Sequence, residues 1–65
     1  MHKVKITPEN GKSIDYKGWD LSGAVRIAAK FIEQGAPSVT MTMRGRQPVK
    51  LTKDSPAIRR TITIR

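Results

Sequence analysis

The chain has no cysteine and only one histidine, and both absences exclude classes of protein. Without cysteine there is neither a disulfide framework nor a cysteine-based zinc site, which excludes secreted disulfide-rich scaffolds. A single histidine, His2, excludes a multi-histidine metal site. We therefore expect no bound metal and no cofactor.

Acidic residues are also few, and none of them forms a catalytic pair. The five are Glu9, Asp15, Asp20, Glu33 and Asp54. They fall in predicted turns, at a predicted helix cap or on polar faces, so no two are placed for acid–base work. A chain this short buries only about 60% of the surface that its unfolded form exposes, which leaves no room for a deep catalytic cleft. We expect no catalytic residues and no enzyme activity.

The sequence lacks a long hydrophobic run as well. Arg26 and Lys30 interrupt its most apolar stretch, which is far shorter than the ~20 residues needed to cross a bilayer. The first residues alternate polar and apolar side chains, unlike a signal peptide. We expect one small basic domain over residues 1–65, cytoplasmic and without a membrane segment.

The chain does have clear alternation near its start. Residues 3–7 and 13–17 both alternate polar and apolar side chains, which predicts two strands. A three-residue loop that ends at Gly11 pairs Ile6 with Ile14 and keeps the apolar side chains on one face. Gly11 is then predicted to take the left-handed position of a G1 bulge.

One amphipathic helix follows this hairpin. Apolar residues recur at helical spacing between Asp20, a good N-cap, and Gly35, a good residue for the position after the helix. Trp19 is predicted to pack on Ala24 as a hydrophobic staple at the helix start. The alternative for Trp19 is an anchor in the pocket of a protein partner.

A second hairpin is predicted after the helix. Residues 38–44 and 49–52 alternate like the first two strands. Pairing Met43 with Val49 keeps the apolar side chains of both strands on one face.

The last residues are predicted as one more strand. Asp54 or Ser55 before Pro56 is typical of the start of a single helical turn. Residues 61–65 alternate and are rich in β-branched side chains, which favours a strand. The predicted fold class is α+β, in the order β-β-α-β-β-β, with a single helix packed on one face of a small antiparallel sheet.

Positive charge is concentrated in the strands and their loops. The net charge of +8 divides into +2 over residues 1–17, zero over 18–37 and +6 over 38–65. The sheet face away from the helix displays Lys beside Thr, a combination that suits a phosphate backbone. The alternative is a solvated face with Thr present for strand propensity. The candidate nucleic-acid-binding residues are Lys3, Lys5, Lys17, Arg44, Arg46, Lys50, Arg59 and Arg65.

The loop Arg44-Gly45-Arg46-Gln47-Pro48 is the most distinctive local feature. It resembles the Arg-Gly-Arg-Pro core of AT-hook motifs, from which it departs by Gln47 before the proline and by lacking the flanking basic and proline residues. That resemblance implies insertion of arginine into the minor groove of A·T-rich DNA. The alternative is an ordinary hairpin turn with Gly45 at a left-handed position and two exposed arginines.

Arg59 and Arg60 precede the last predicted strand. Adjacent strand residues point to opposite faces, so Arg59 is predicted to join the Thr-rich face and Arg60 the rim of the core.

Two functional hypotheses follow from these patterns. The first is a nucleic-acid binder, with duplex DNA favoured over RNA. A duplex is favoured over a single strand because the sheet has no aromatic platform for stacking successive bases. The second is a protein-binding module that docks its basic face on an acidic protein, in the style of small phage or mobile-element inhibitors and regulators. A homodimer formed through an edge strand is a further expectation.

Overall fold

The fold is built on a sheet of four antiparallel strands. The computed structural model describes residues 1–64, which form β1 (His2–Pro8), β2 (Ile14–Gly18), α1 (Leu21–Glu33), β3 (Val39–Met43), β4 (Val49–Leu51) and α2 (Pro56–Ile64). The strands lie in the order β2-β1-β3-β4. The α+β class and the antiparallel sheet are confirmed, while the sixth element is a helix where a strand was predicted.

The first hairpin has the predicted register, with Ile6 opposite Ile14. Its turn differs from the prediction, because the Gly11 N–H donates to the Pro8 carbonyl at 3.3 Å and Gly11 does not have a positive φ. The two central residues of this turn also lack positive φ, as in a type I turn, which favours glycine at its fourth position. The predicted G1 bulge at Gly11 is therefore wrong.

Both ends of α1 are closed as predicted. The Asp20 carboxylate accepts a hydrogen bond from the Ser22 N–H at 3.0 Å, and this bond is the main cause that lowers the pKa of Asp20 below its usual value. At the other end Gly35 has a φ of 110°. The N–H groups of Gly35 and Ala36 each donate at 3.0 Å to carbonyls of the last helical turn, which is the Schellman pattern.

The predicted staple between Trp19 and Ala24 is wrong. Trp19 is 79% exposed, whereas Ala24 is fully buried. Tyr16 ties the helix start to the sheet instead, because its hydroxyl donates to the Asp20 carbonyl at 2.7 Å.

The Tyr16 ring needs the two glycines beside it. A Cβ added at Gly18 or at Gly23 would lie 2.7 Å from Cζ of the ring, closer than real Cβ contacts come. Gly18 and Gly23 thus make room for Tyr16, which explains why a glycine stands in the first turn of α1.

We expect Gly23→Ala to destabilise the protein by about 1–3 kcal/mol through overpacking against Tyr16. The sign of the stability change distinguishes overpacking from helix propensity, since propensity alone favours alanine over glycine in a helix by up to ~1 kcal/mol. In a Tyr16→Val background the same change should stabilise, because no ring remains to be displaced. Denaturant unfolding of the four proteins measures the cycle. An equal effect of Gly23→Ala in both backgrounds would contradict this packing.

The core lies between the sheet and the two helices. Three small side chains of α1, Ala24, Ala28 and Ala29, are buried and allow close approach to the sheet. α2 packs on α1 and contributes Ile58, which is fully buried. The buried side chains of the strands are Val4, Ile6, Pro8, Val39, Met41 and Leu51.

The predicted last strand is the helix α2. The helix begins where the Arg59 N–H donates to the Ser55 carbonyl at 3.0 Å, so the helical turn predicted to start before Pro56 continues into a longer helix. The Thr61 and Thr63 hydroxyls donate at 2.8 and 2.7 Å to carbonyls four residues earlier, as these side chains do within helices. Burial of Ile58 overrides the weak strand preference of the β-branched residues.

The second hairpin is shifted by two residues from the predicted pairing. Val49 lies opposite Met41, not Met43. A shift of two leaves every side chain on the same face, so alternation does not distinguish the two registers. The longer connection contains a turn in which the Arg46 N–H donates to the Met43 carbonyl at 3.2 Å, and Gly45 has the predicted left-handed φ, at 78°.

Candidate functional site

One face of the sheet is not covered by either helix. We call it the open face and define it by the residues that alternate with the buried ones: Lys3, Lys5, Thr7, Asp15, Lys17, Thr40, Thr42 and Lys50. All four lysines of this face are exposed. Alternation predicted this placement for Lys3, Lys5, Lys17 and Lys50.

Three lysines of the open face surround one shallow hollow. Its volume is about 380 Å³, and Lys3, Lys5 and Lys17 line it together with Asp15 and Thr42. Lys3 lies opposite Lys17, and Lys5 lies opposite Asp15. One carboxylate among three ammonium groups leaves the hollow positively charged, so its preferred ligand is an anion.

A row of hydroxyl groups crosses the open face next to this hollow. Thr7 lies opposite Thr40, and Thr40 lies opposite Lys50. The Thr7 and Ser13 hydroxyls share a hydrogen bond of 2.8 Å, which extends the row to the start of β2. Hydroxyl side chains donate to phosphate oxygens, and Lys50 adds a charge at the far edge.

The Arg44-Gly45-Arg46 loop adjoins the end of the sheet at which Lys3 and Lys17 lie. Val4 lies opposite Met43, so Arg44 follows beside Lys3. A second hollow, of about 260 Å³, is lined by Met1, His2, Lys3, Met43, Arg44 and Arg46. The loop cations and the open-face lysines therefore form one continuous basic surface that meets at Lys3.

One of the predicted site residues, Arg59, does not join this surface. Arg59 lies on α2, in the helical layer, so its predicted place on the Thr-rich face is wrong; the cause is the helix where a strand was predicted. Arg60 likewise lies on α2, where it lines a hollow of about 300 Å³ with Arg26 of α1. Arg65 lies outside the described residues.

The change of the last element also alters the sheet edges. β2 and β4 form the two edges, and the last predicted strand is a helix and joins neither edge. Within residues 1–64 no group of His, Asp or Glu side chains is arranged to hold a metal ion. None of the helices in that part of the chain has the length and apolar content to cross a membrane.

The exposure of Trp19, which directly follows β2, was predicted only in the alternative to the staple. A local signal was present, because Tyr16 stands four residues before the cap and has glycines nearby in sequence at Gly18 and Gly23. Because Tyr16 occupies the space beside Gly18 and Gly23 at the start of α1, the Trp19 ring has no place there.

Comparison with known proteins gives no relative from which a function can be transferred. No protein-family model, curated protein or solved structure matches the chain. The fold and the site therefore define its class: a small α+β domain with a helical layer on one side of the sheet and a cation-rich open face on the other.

Proposed function

We propose that the chain is a nucleic-acid-binding domain that lays its open face on the phosphate backbone of duplex DNA. The observation that supports this most is the meeting of the Lys3–Lys17 pair and the Arg44-Gly45-Arg46 loop at one end of an uncovered sheet. Lysine and threonine contact phosphates without reading sequence, which makes such a face a positioning surface.

The width of the sheet favours contact across the backbone. Four strands at about 4.8 Å spacing span roughly 14 Å between the outer axes, before side chains are added. A major groove about 12 Å wide admits a helix or a two-stranded ribbon, not this sheet. The open face therefore rests on phosphates, and only the loop is narrow enough to enter a groove.

The loop suits the minor groove of DNA. Arg44 and Arg46 are exposed on either side of Gly45, whose left-handed backbone keeps the tip narrow. Arginine is attracted to the strong negative potential of a narrow A·T-rich minor groove. The minor groove of duplex RNA is wide and shallow, so the same loop gains less there.

The distribution of aromatic residues favours a duplex over a single strand. Tyr16 and Phe31 pack against the core, and no aromatic residue belongs to the open face. Proteins that bind single strands stack successive bases on aromatic side chains. This face offers charge and hydroxyl groups only.

Titration of labelled duplex DNA, single-stranded DNA and structured RNA at about 50 and 200 mM salt tests the proposal. If all six cations of the surface, four lysines and two arginines, contact phosphates, duplex affinity should fall roughly 10³-fold over that range. The duplex should also bind more tightly than the other two probes. Absence of binding to all three at low salt would contradict the proposal and would favour the second hypothesis, an acidic protein partner for the basic face.

A further inference from the structure

Trp19 is the most exposed large apolar side chain of the described residues, and the fold does not use it. It is 79% exposed and belongs neither to the buried core nor to the half-buried side chains packed against the core. The chain has no other tryptophan. An indole ring left in water is typical of a side chain that finds its partner in a complex.

The position of Trp19 relates it to the cationic surface. Trp19 follows Gly18, the last residue of β2, and Gly18 lies opposite His2 at the start of β1. β3 ends at the same end of the sheet, where Arg44 begins the loop. β2 and β3 flank β1, so the strand ends that carry Trp19 and Arg44 are about 10 Å apart.

We propose that Trp19 stacks on an unpaired base of DNA whose duplex part lies on the open face. The preferred ligand is then a junction at which a duplex continues into a single strand. This inference rests on the proposed function, because the cations at the same end of the sheet, Lys3, Lys17 and Arg44, supply the phosphate contacts that bring the base to the ring.

Because Trp19 is the one exposed aromatic side chain at this end of the sheet, the ligand needs only one unpaired base to stack on it. In the interior of a duplex both faces of every base are covered by neighbouring bases, so the ring finds no free face. A long single strand calls for a series of rings, and this end of the sheet has one. A junction offers both parts of the ligand at once: phosphates of a duplex for Lys3 and Lys17, and one uncovered base for Trp19.

Tryptophan fluorescence reports the stacking directly, since Trp19 is the only tryptophan. The first probe is a short duplex that continues into a single-stranded overhang. The second is relaxed, covalently closed circular duplex DNA, which has no ends. We expect the overhang duplex to quench the fluorescence of Trp19 and the closed circle to bind without quenching it.

Substitution measures the contribution of the ring to affinity. Trp19→Ala should weaken binding to the overhang duplex by roughly 5- to 150-fold, the range that loss of one base–aromatic stack gives. It should leave binding to the closed circle unchanged. Trp19→Phe, which keeps a smaller ring, should restore part of the loss. The matched control is Ile62→Ala, since Ile62 is an exposed apolar side chain on α2, and it should affect neither probe.

The outcomes separate this inference from the proposed function. Salt-sensitive binding to both probes with no quenching and no effect of Trp19→Ala would overturn the inference and leave the proposed function intact, with Trp19 assigned to a protein contact. Equal weakening of both probes by Trp19→Ala would also overturn it, because the ring would then act without an unpaired base. Quenching of the wild-type fluorescence by the overhang duplex, together with loss of the overhang preference in Trp19→Ala but not in Ile62→Ala, would support it. Failure of the wild-type protein to bind either DNA would overturn both.

Discussion

Replacing Lys3, Lys5 and Lys17 together by glutamine should weaken binding to duplex DNA by about 10²- to 10³-fold near 0.1 M salt. Glutamine removes the charge and keeps a polar stem, and all three side chains are exposed, so the fold should be retained. With three fewer phosphate contacts, binding releases fewer counterions from the DNA. The slope of log K against log salt concentration should therefore fall in magnitude by roughly 3. Fluorescence anisotropy at several salt concentrations measures both quantities.

The helical layer offers a control with the same change of net charge. Arg26, Lys30 and Arg59 are exposed on α1 and α2. Their replacement by glutamine also removes three positive charges, yet we expect a far smaller loss of affinity. If both triple variants bind equally poorly, affinity follows net charge and not the open face.

Ile58→Ala should destabilise the domain by about 2–5 kcal/mol, as loss of a buried isoleucine side chain does. Ile58 is fully buried and joins α2 to the core. A loss of this size is comparable to the whole unfolding free energy of a small domain, roughly 5 kcal/mol, so the variant should be largely unfolded at 37 °C or below. Circular dichroism during thermal unfolding measures the effect.

Ile62→Ala provides the control and also tests the secondary structure of this segment. Ile62 lies one helical turn after Ile58 and is 36% exposed, so its truncation should cost much less. In a strand over residues 61–65, Ile62 would face the core and Ile58 would lie in a loop. A larger loss of stability for Ile62→Ala than for Ile58→Ala would contradict the helix α2.

The parts of the fold that the sequence predicted depend on interactions between neighbours in the chain. Asp20 and Gly35 close α1 through their own side chain and backbone, so the signals for both ends are local. The first hairpin was paired correctly because a short turn leaves only one register that keeps Ile6 and Ile14 on the same face.

The errors have a different physical origin. A longer loop allows registers that differ by two residues, and the pairing of Met41 with Val49 then depends on the whole sheet. The strand predicted over residues 61–65 rested on a short alternation, which the burial of Ile58 against α1 outweighs. The staple at Trp19 failed because Tyr16 already fills the space at the helix start.

The candidate site was predictable only in part. Alternation sufficed to place Lys3, Lys5, Lys17 and Lys50 on one face. The strand order was not readable, so the meeting of Lys3 with the Arg44-Gly45-Arg46 loop emerged only from the tertiary structure. Arg59 was misplaced together with the last element.

The NMR spectrum of the threonine methyl groups during addition of a short DNA duplex tests the central claim most directly. Thr40 and Thr42 lie on the open face, whereas Thr61 and Thr63 lie on α2 in the helical layer. We expect the methyl signals of Thr40 and Thr42 to shift with increasing duplex while those of Thr61 and Thr63 stay in place. Shifts confined to Thr61 and Thr63, or an unchanged spectrum at low salt, would contradict the assignment of the open face as the nucleic-acid interface.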